Sequence, residues 1–345
     1  MAKKQSGSAP RALGEDGIID LVRRHLDADS GRVLAGAGAD DCAIIAGPPG
    51  SDTVLLLTTD AFVQDVHFRL DWSSPYQVGW KALAAAASDI GAMGGRPLAA
   101  VAAVGLTGGE KESTVRELAR GMNAAARLLG CPVAGGDTVR SPRALCVTVS
   151  VLGEAARDAA LCRKGARPGD AILLIGDIGA SAAGFEALRA WGKQNLGAAA
   201  RRLAERHLAP RPPLAAGRIA AAAGGATAMM DLSDGLAADL PRLCARSGTG
   251  ALVRASDLPI HPDTARVCRA LGLDPLDTAL RGGEDYALLL AADPAQCDAL
   301  AAAVSAAAAV PVTRIGEITE QGRGIALMSP DGKPLPWPAP AFAHF

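Results

Sequence analysis

The residues in this sequence best suited to do chemistry are aspartates that border apolar runs. Asp40 and Asp41 precede a strand-like segment in "GAGADDCAII", and Asp60 closes "DTVLLLTTD". Asp89 interrupts the nearly chargeless "AAAASDIGAMGG". Asp137 follows two glycines in "VAGGDTV", and Asp231 and Asp234 follow an apolar run in "AMMDLSDGL". A carboxylate beside a buried element costs several kcal/mol unless it is paired, hydrogen-bonded or metal-bound. Asp89 poses the problem most sharply: its flanks, Ala84 to Ala87 and Ile90 to Met93, hold no cation, and Lys81 lies two turns back. Several carboxylates facing one cleft repel each other, and divalent cations remove the repulsion. All-oxygen ligands select magnesium or manganese over zinc. The bland alternative for each acid is a helix cap or a turn. It is most natural for Asp231 and Asp234, since "DLSDG" is placed to open the helix "LAADLPRLC".

Other residue types extend the pattern. The β-prone run 54–57 reads as a buried strand ending in Thr58, Thr59 and Asp60, two hydroxyls and a carboxylate that ask for a ligand. "GGDTV" and "RGGEDY" each put two glycines before an acid, where small backbone lets amide hydrogens approach phosphate oxygens and where a tight turn is an equal explanation. Arg163 and Lys164 in "LCRKGA" suit a phosphate clamp or a solvated turn. His67 in "QDVHF" suits a substrate contact or the edge of a core. The sequence has no GxxxxGK[ST], HExxH or GxSxG, and "GAGADD" lacks the strand–helix context of a dinucleotide site. Magnesium sites combined with glycine turns point to phosphoryl transfer. A phosphate acceptor would need no strong general base, because its oxygen is largely ionised near neutral pH.

The elements that must position these groups follow from periodicity and punctuation. Apolar residues at 18, 19, 22 and 26 share one helical face. "CAIIAG" and "TVLLLTTD" read as strands around a "PPGSD" turn, and "SPYQVGWKALAAAASDIGAMGG" as a helix from Pro75 to a glycine pair. "RPLAAVAAVGLT" and "ALCVTVSVLGEA" read as strands, "ESTVRELARGMNAAARLLG" as an amphipathic helix, and "PVAGGDTVRSP" as a loop. A polar, turn-rich stretch then precedes "AILLIG". This divides the chain into a tail over 1–13, an N-terminal domain over 14–160 and a C-terminal domain over 161–345. Strands and helices mix without a regular βαβ rhythm, which favours two α+β halves. The 345 residues are 49% apolar with a formal net charge of −1, enough for a sizeable core and no global field for nucleic acid. Seven widely spaced cysteines with no CxxC argue against a disulfide framework or a zinc thiolate site. The N-terminus lacks the apolar core of a signal peptide and no stretch suits a membrane span, so a cytoplasmic protein with no membrane partner is expected.

Taken in order, "GAGADDCAII", "TTDAFVQDVHF", "KALAAAASDIGAMGGRP", "GGDTVR", "DLSDGLAADL" and "GGEDYALLL" resemble the thiamine-monophosphate kinase family. Its superfamily includes aminoimidazole ribonucleotide synthetase, selenophosphate synthetase and the hydrogenase-maturation dehydratase. The resemblance covers about residues 14 to 345. It implies direct transfer of the γ-phosphoryl group of ATP to thiamine monophosphate, giving thiamine diphosphate, with several magnesium ions assembling the site. By motif, Asp41, Thr58, Thr59, Asp60, Asp89, Asp137, Asp231 and Asp234 resemble the metal ligands. Gly136, Asp137, Arg163 and Ser233 resemble the nucleotide contacts, and His67, Glu284 and Phe342 the substrate contacts. The resemblance also implies a two-domain aminoimidazole ribonucleotide synthetase-like fold and a homodimer. In that fold the N-terminal half contributes to a dimeric β-barrel and the C-terminal half is an α/β sandwich.

Two positions depart from the family pattern: Ala39 and Asp65 stand where glycine is common. Asp65 could shift its loop, tune His67 or point to solvent. The alternatives are another ATP-using member of the superfamily, acting on aminoimidazole precursors or selenide, or a magnesium-dependent phosphohydrolase. The first cysteine, Cys42, starts a strand, which argues against a selenide enzyme with its reactive N-terminal cysteine.

Overall fold

The computed structural model describes residues 14–26 and 31–341, so the tail expected over 1–13 lies outside the described residues. The first half runs α1 (Gly14–Arg23), β1 (Val33–Ala35), β2 (Ala43–Ala46), β3 (Thr53–Val63), α2 (Pro75–Ala92), β4 (Arg96–Leu106), α3 (Glu112–Leu129), β5 (Val133–Arg140) and β6 (Cys146–Ala156). Helix α2 begins where its local sequence directs. The Ser74 hydroxyl accepts from the Gln77 N–H, the Gln77 side chain accepts from the Ser74 N–H, and Pro75 needs no hydrogen-bond partner in the first turn. The glycine pair Gly94–Gly95 follows its end. Its alanines have a tertiary reason, because α2 packs on the first sheet, on α3 and on the second half of the chain together. Small side chains let backbones approach on every side.

The first sheet has strand order β1-β2-β3-β6-β4-β5, with only β4 and β5 parallel. The sheet is open, which corrects the expectation of a β-barrel. Strand β1 has three residues and an irregular register, and β5 pairs only with β4, so the two edges never meet. Helices α2 and α3 cover one face.

Two local expectations also fail. The strand beginning at Thr53 does not end at Asp60 but continues to Val63, paired with β6 along its whole length. The segment read as a loop around "GGDTV" is strand β5. Glycine opposes strand formation by local propensity. Here, however, a Cβ on Gly136 would lie 1.8 Å from the Ala102 carbonyl oxygen, so glycine is what allows β5 to close on β4.

The second half comprises β7 (Ala171–Ile175), α4 (Ala180–Trp191), α5 (Ala198–Leu208), α6 (Leu214–Ala223), β8 (Ala226–Asp231), α7 (Leu236–Ser247), β9 (Thr249–Arg254), α8 (Pro262–Ala270), α9 (Pro275–Arg281), β10 (Leu288–Ala292), α10 (Cys297–Ala308), β11 (Val312–Glu320), β12 (Ile325–Met328) and β13 (Pro334–Leu335). Its sheet has the order β13-β12-β9-β11-β7-β10-β8. Strands β7 and β10 are buried throughout and read as unbroken apolar runs, as strands covered on both faces should. One face packs on α7 and α9 and the other on α6 and α10. The halves meet where α2 lies against α6 and β8. A Cβ on Gly217 would sit 2.1 Å from the Gly91 carbonyl oxygen, so this seam also depends on glycine. Among the described residues no helix is long and apolar enough to cross a membrane, and all seven cysteines are free.

Candidate metal and phosphate site

Three elements converge at the seam. Asp41 sits in the turn before β2, Asp89 near the end of α2, and Asp231 at the last residue of β8. One carboxylate oxygen from each lies within 4.8 Å of the other two. Each acid is oriented by a neighbour. Thr58 donates its hydroxyl to Asp89, and Ser88 donates to Asp231 Oδ2 at 2.7 Å across the seam. The Arg163 guanidinium holds Asp41 Oδ1 through Nε at 2.8 Å and through Nη2, while its backbone N–H spans both oxygens of Asp40 at 3.1 Å. Asp41 Oδ2 is buried and has no hydrogen-bond partner among the described residues.

That orphaned oxygen is informative because buried polar atoms are nearly always satisfied. The electrostatics agree. Burial pushes the carboxyls of Asp41, Asp89 and Asp231 above the usual range. Repulsion from Asp60, Asp231 and Asp41 raises Asp89 further against the Thr58 hydroxyl, and at Asp41 the Arg163 charge opposes the rise. Asp60 is pushed up to about 6 by burial and then by Asp231 and Asp234. An unsatisfied carboxylate oxygen among mutually repelling hard-oxygen donors fits a divalent cation such as magnesium.

The expected site residues divide into groups. Asp41, Thr58, Asp60, Asp89, Asp231 and Arg163 come together at the seam. Asp234 lies close enough to raise Asp60, but its carboxylate is paired with Arg242, which also binds the wholly buried Asp239 at 2.9 Å. The helix-cap alternative for Asp231 and Asp234 fails, since α7 has Gly235 at its N-cap and no side-chain capping bond. Thr59 points to the opposite, exposed face of β3, where its Oγ1 accepts from Ser150 at 3.0 Å. Asp137 shares that face by register, because Thr59 pairs with Ser150, Ser150 with Val101, and Val101 with Gly135, two residues before it. The side chains of Thr59 and Asp137 are therefore not brought to the three clustered acids, and Gly136 lies on the exposed β5.

Ser233 follows β8, and its carbonyl accepts the Glu284 N–H at 2.7 Å. His67 Nδ1 accepts the Val63 N–H at 3.1 Å, and the histidine is near enough to help lower the Glu284 pKa. Phe342 lies outside the described residues. Asp65 is exposed with φ +66°, in the left-handed region that glycine occupies most readily.

Sequence reasoning missed several partners. Ser88, Arg242 and Asp239 hold the acids in place, and Lys81 and His207 both contact Glu284. Lys81 carried a signal, as the single cation in an otherwise apolar helical run. Nothing local pointed to the others.

Comparison with known proteins places this geometry in a family. The N-terminal domain of the AIR synthase related proteins matches residues 39–155, and their C-terminal domain matches residues 167–328. The thiamine-monophosphate kinase of Mycobacterium tuberculosis is 41% identical over 279 residues, 80% of each chain. That of Bacillus subtilis is 33% identical over 307 residues, 89% of this chain and 92% of its own. The solved structure of AaThiL complexed with AMPPCP and TMP superposes with a TM-score of 0.85 at 31% identity, covering 99% of this chain and 100% of its own.

Proposed function

The chain belongs to the thiamine-monophosphate kinase family, and from that premise we propose how its own residues carry the reaction. The reaction is the ATP-dependent phosphorylation of thiamine monophosphate to thiamine diphosphate. The observation that carries the residue-level assignment is the meeting of Asp41, Asp89 and Asp231 around a buried carboxylate oxygen that has no partner. In our reading these acids hold magnesium together with Thr58, Asp60 and Asp234, while Thr59 and Asp137, on the opposite face of the first sheet, stand outside this set. Bound magnesium would supply neutralisation of the charge on the transferring phosphoryl group.

Arg163 and Ser233 contact the nucleotide at the seam. The AaThiL structure holds AMPPCP and TMP together, and the same pair of ligand classes is assigned here. His67, Glu284 and Phe342 receive the thiamine moiety. A thiamine carries a cationic thiazolium ring and an amino group, both of which a carboxylate such as that of Glu284 suits. Transfer is direct and in line. The acceptor phosphate oxygen is largely ionised, so no protein general base is required.

A homodimer is the assembly we assign. Among the described residues the outer edge of β5 is unpaired and every β5 residue is exposed, with Val133 and Val139 on it, Val101 on the adjacent β4 and Leu57 further across the sheet on β3 also open. An edge of this kind is a template for another chain. ATP as substrate and seven unpaired cysteines suit the cytoplasm.

The test is product formation from purified protein, ATP, magnesium and thiamine monophosphate, with no-acceptor and EDTA controls. Thiamine diphosphate should appear one-for-one with ADP and only with metal. ADP without thiamine diphosphate would instead identify a hydrolase or a different acceptor.

A further inference from the structure

Glu284 is held in an unusual way. It has φ +64°, and Tyr286 two residues on has φ +50°, a backbone region that non-glycine residues rarely adopt. The segment is stitched in place on both sides. The Glu284 N–H donates to the Ser233 carbonyl at 2.7 Å and the Tyr286 N–H to the Leu232 carbonyl at 3.0 Å. Asp285 accepts the Gly179 and Ser181 N–H groups at 2.6 and 2.8 Å. The Glu284 side chain then receives one basic partner on each oxygen. Lys81 Nζ, from the middle of α2, lies 2.7 Å from Oε1, and His207 Nδ1, from α5, lies 3.3 Å from Oε2. Both partners are buried, with side-chain exposures of 4% and 7%, whereas Glu284 keeps 29%.

Such an arrangement is expensive unless it serves a purpose. A buried lysine normally loses its charge or is avoided. Here it sits beneath a carboxylate whose remaining lone pairs are open to a ligand. Burial alone would raise the Glu284 pKa, but the Lys81 charge beside it brings it below the usual range. Burial and the Lys81 charge push His207 down to about 3, so it is neutral near pH 7. Facing an acceptor-only carboxylate, a neutral imidazole must carry its hydrogen on Nδ1 to attract it. Ser181 Oγ lies 3.0 Å from the same nitrogen, and the Phe185 ring packs 5.4 Å from the imidazole.

We propose that Lys81 and His207 are positioning residues for substrate selection: together they orient the Glu284 carboxylate to receive the cationic, amino-bearing heterocycle of thiamine monophosphate. The proposal rests on the assignment of Glu284 to that heterocycle. Among the described residues neither Lys81 nor His207 pairs with Arg163 or with the three clustered acids. Lys81 and Asp89 belong to the same helix, so α2 supports the heterocycle end of the site through one residue and the metal end through the other.

The experiment is steady-state kinetics on the full-length protein, varying thiamine monophosphate at saturating ATP and magnesium, and then the reverse. Lys81→Met should raise the KM for thiamine monophosphate by about tenfold or more, the scale of a lost charged hydrogen bond. The KM for ATP should stay within about twofold. His207→Gln should shift the same constant in the same direction. Wild-type protein that makes no thiamine diphosphate would refute the activity itself; the positioning role is judged only against an active wild type.

A double-mutant cycle separates positioning from general damage. In a Glu284→Gln background, adding Lys81→Met should change the KM for thiamine monophosphate by less than about twofold, because the carboxylate it orients is already gone. Removing both charges leaves neither Lys81 nor Glu284 without its partner, so the double variant remains comparable with wild type if the single Lys81→Met protein does not fold. A further tenfold rise in the Glu284→Gln background, or equal rises in both KM values for Lys81→Met, would overturn the proposal.

Discussion

Replacing Asp60 by asparagine tests the acid cluster through two effects of opposite sign. The change keeps side-chain shape and removes one negative charge. Asp60 has its pKa raised from 3.8 to about 6, first by burial and then by Asp231 and Asp234. A carboxyl raised that far opposes folding by roughly 3 kcal/mol once ionised, before any sharing of the cost within the cluster. The sign is set by linkage. The folded state binds the proton more tightly than the unfolded chain, so the penalty is absent below about pH 4, grows as pH rises towards 6, and is complete at pH 7.5.

In EDTA at pH 7.5, Asp60→Asn should therefore melt a few degrees above wild type, with the two converging near pH 4. Magnesium should reverse the order. Wild type gains stability from the ion by mass action, and the variant gains less. Turnover should fall about 10²-fold or more, because the bound charge matters most in the transition state. Differential scanning fluorimetry with and without magnesium, followed by a coupled ADP assay, reads all three quantities. A variant within threefold of wild-type turnover, or one that melts below wild type in EDTA at pH 7.5, would refute the reasoning.

Other perturbations probe the supports of the site. Arg163→Met strips Asp41, whose side chain is wholly buried, of its cation partner among the described residues; a loss of about 3–5 kcal/mol in urea unfolding is expected, with a raised KM for ATP. Gly136→Ala would drive a Cβ to 1.8 Å from the Ala102 carbonyl oxygen, so β5 should peel from β4; amide hydrogen exchange along 133–140 should accelerate while exchange in β7 and β10 stays slow. Asp65→Gly, at an exposed left-handed position, should leave turnover within about twofold and shift the melting temperature little; a larger loss of activity would mean that Asp65 acts on His67.

Local signals carried much of the fold. The Ser74–Pro75 start and the Gly94–Gly95 end of α2 were legible because caps and breakers act within one turn. The apolar run "AILLIG" marked where β7 begins, and that strand is buried throughout. The glycines of β5 misled for the same reason that local signals work elsewhere. Their propensity points to a loop, while the close approach of Ala102 requires them in a strand. The two threonines were read as one unit at a strand end. Once β3 continues to Val63, the two-residue period of a strand must send Thr58 and Thr59 to opposite faces.

By itself the amino-acid sequence determined the donor chemistry. It supplies aspartates and hydroxyls beside apolar runs, no clustered thiolates or histidines, and hence a site for a hard cation and phosphate rather than for zinc. Only the tertiary structure decided which of those aspartates meet. Ser88 reaches Asp231 across 143 residues of chain, and Arg163 reaches Asp41 across 122. It also decided that one Asp41 oxygen is left without a partner and that Lys81 and His207 converge on Glu284. Propensity and capping act over a few residues. Charge pairing and desolvation depend on distance in space, and that distance is set by how α2 is wedged between the two sheets.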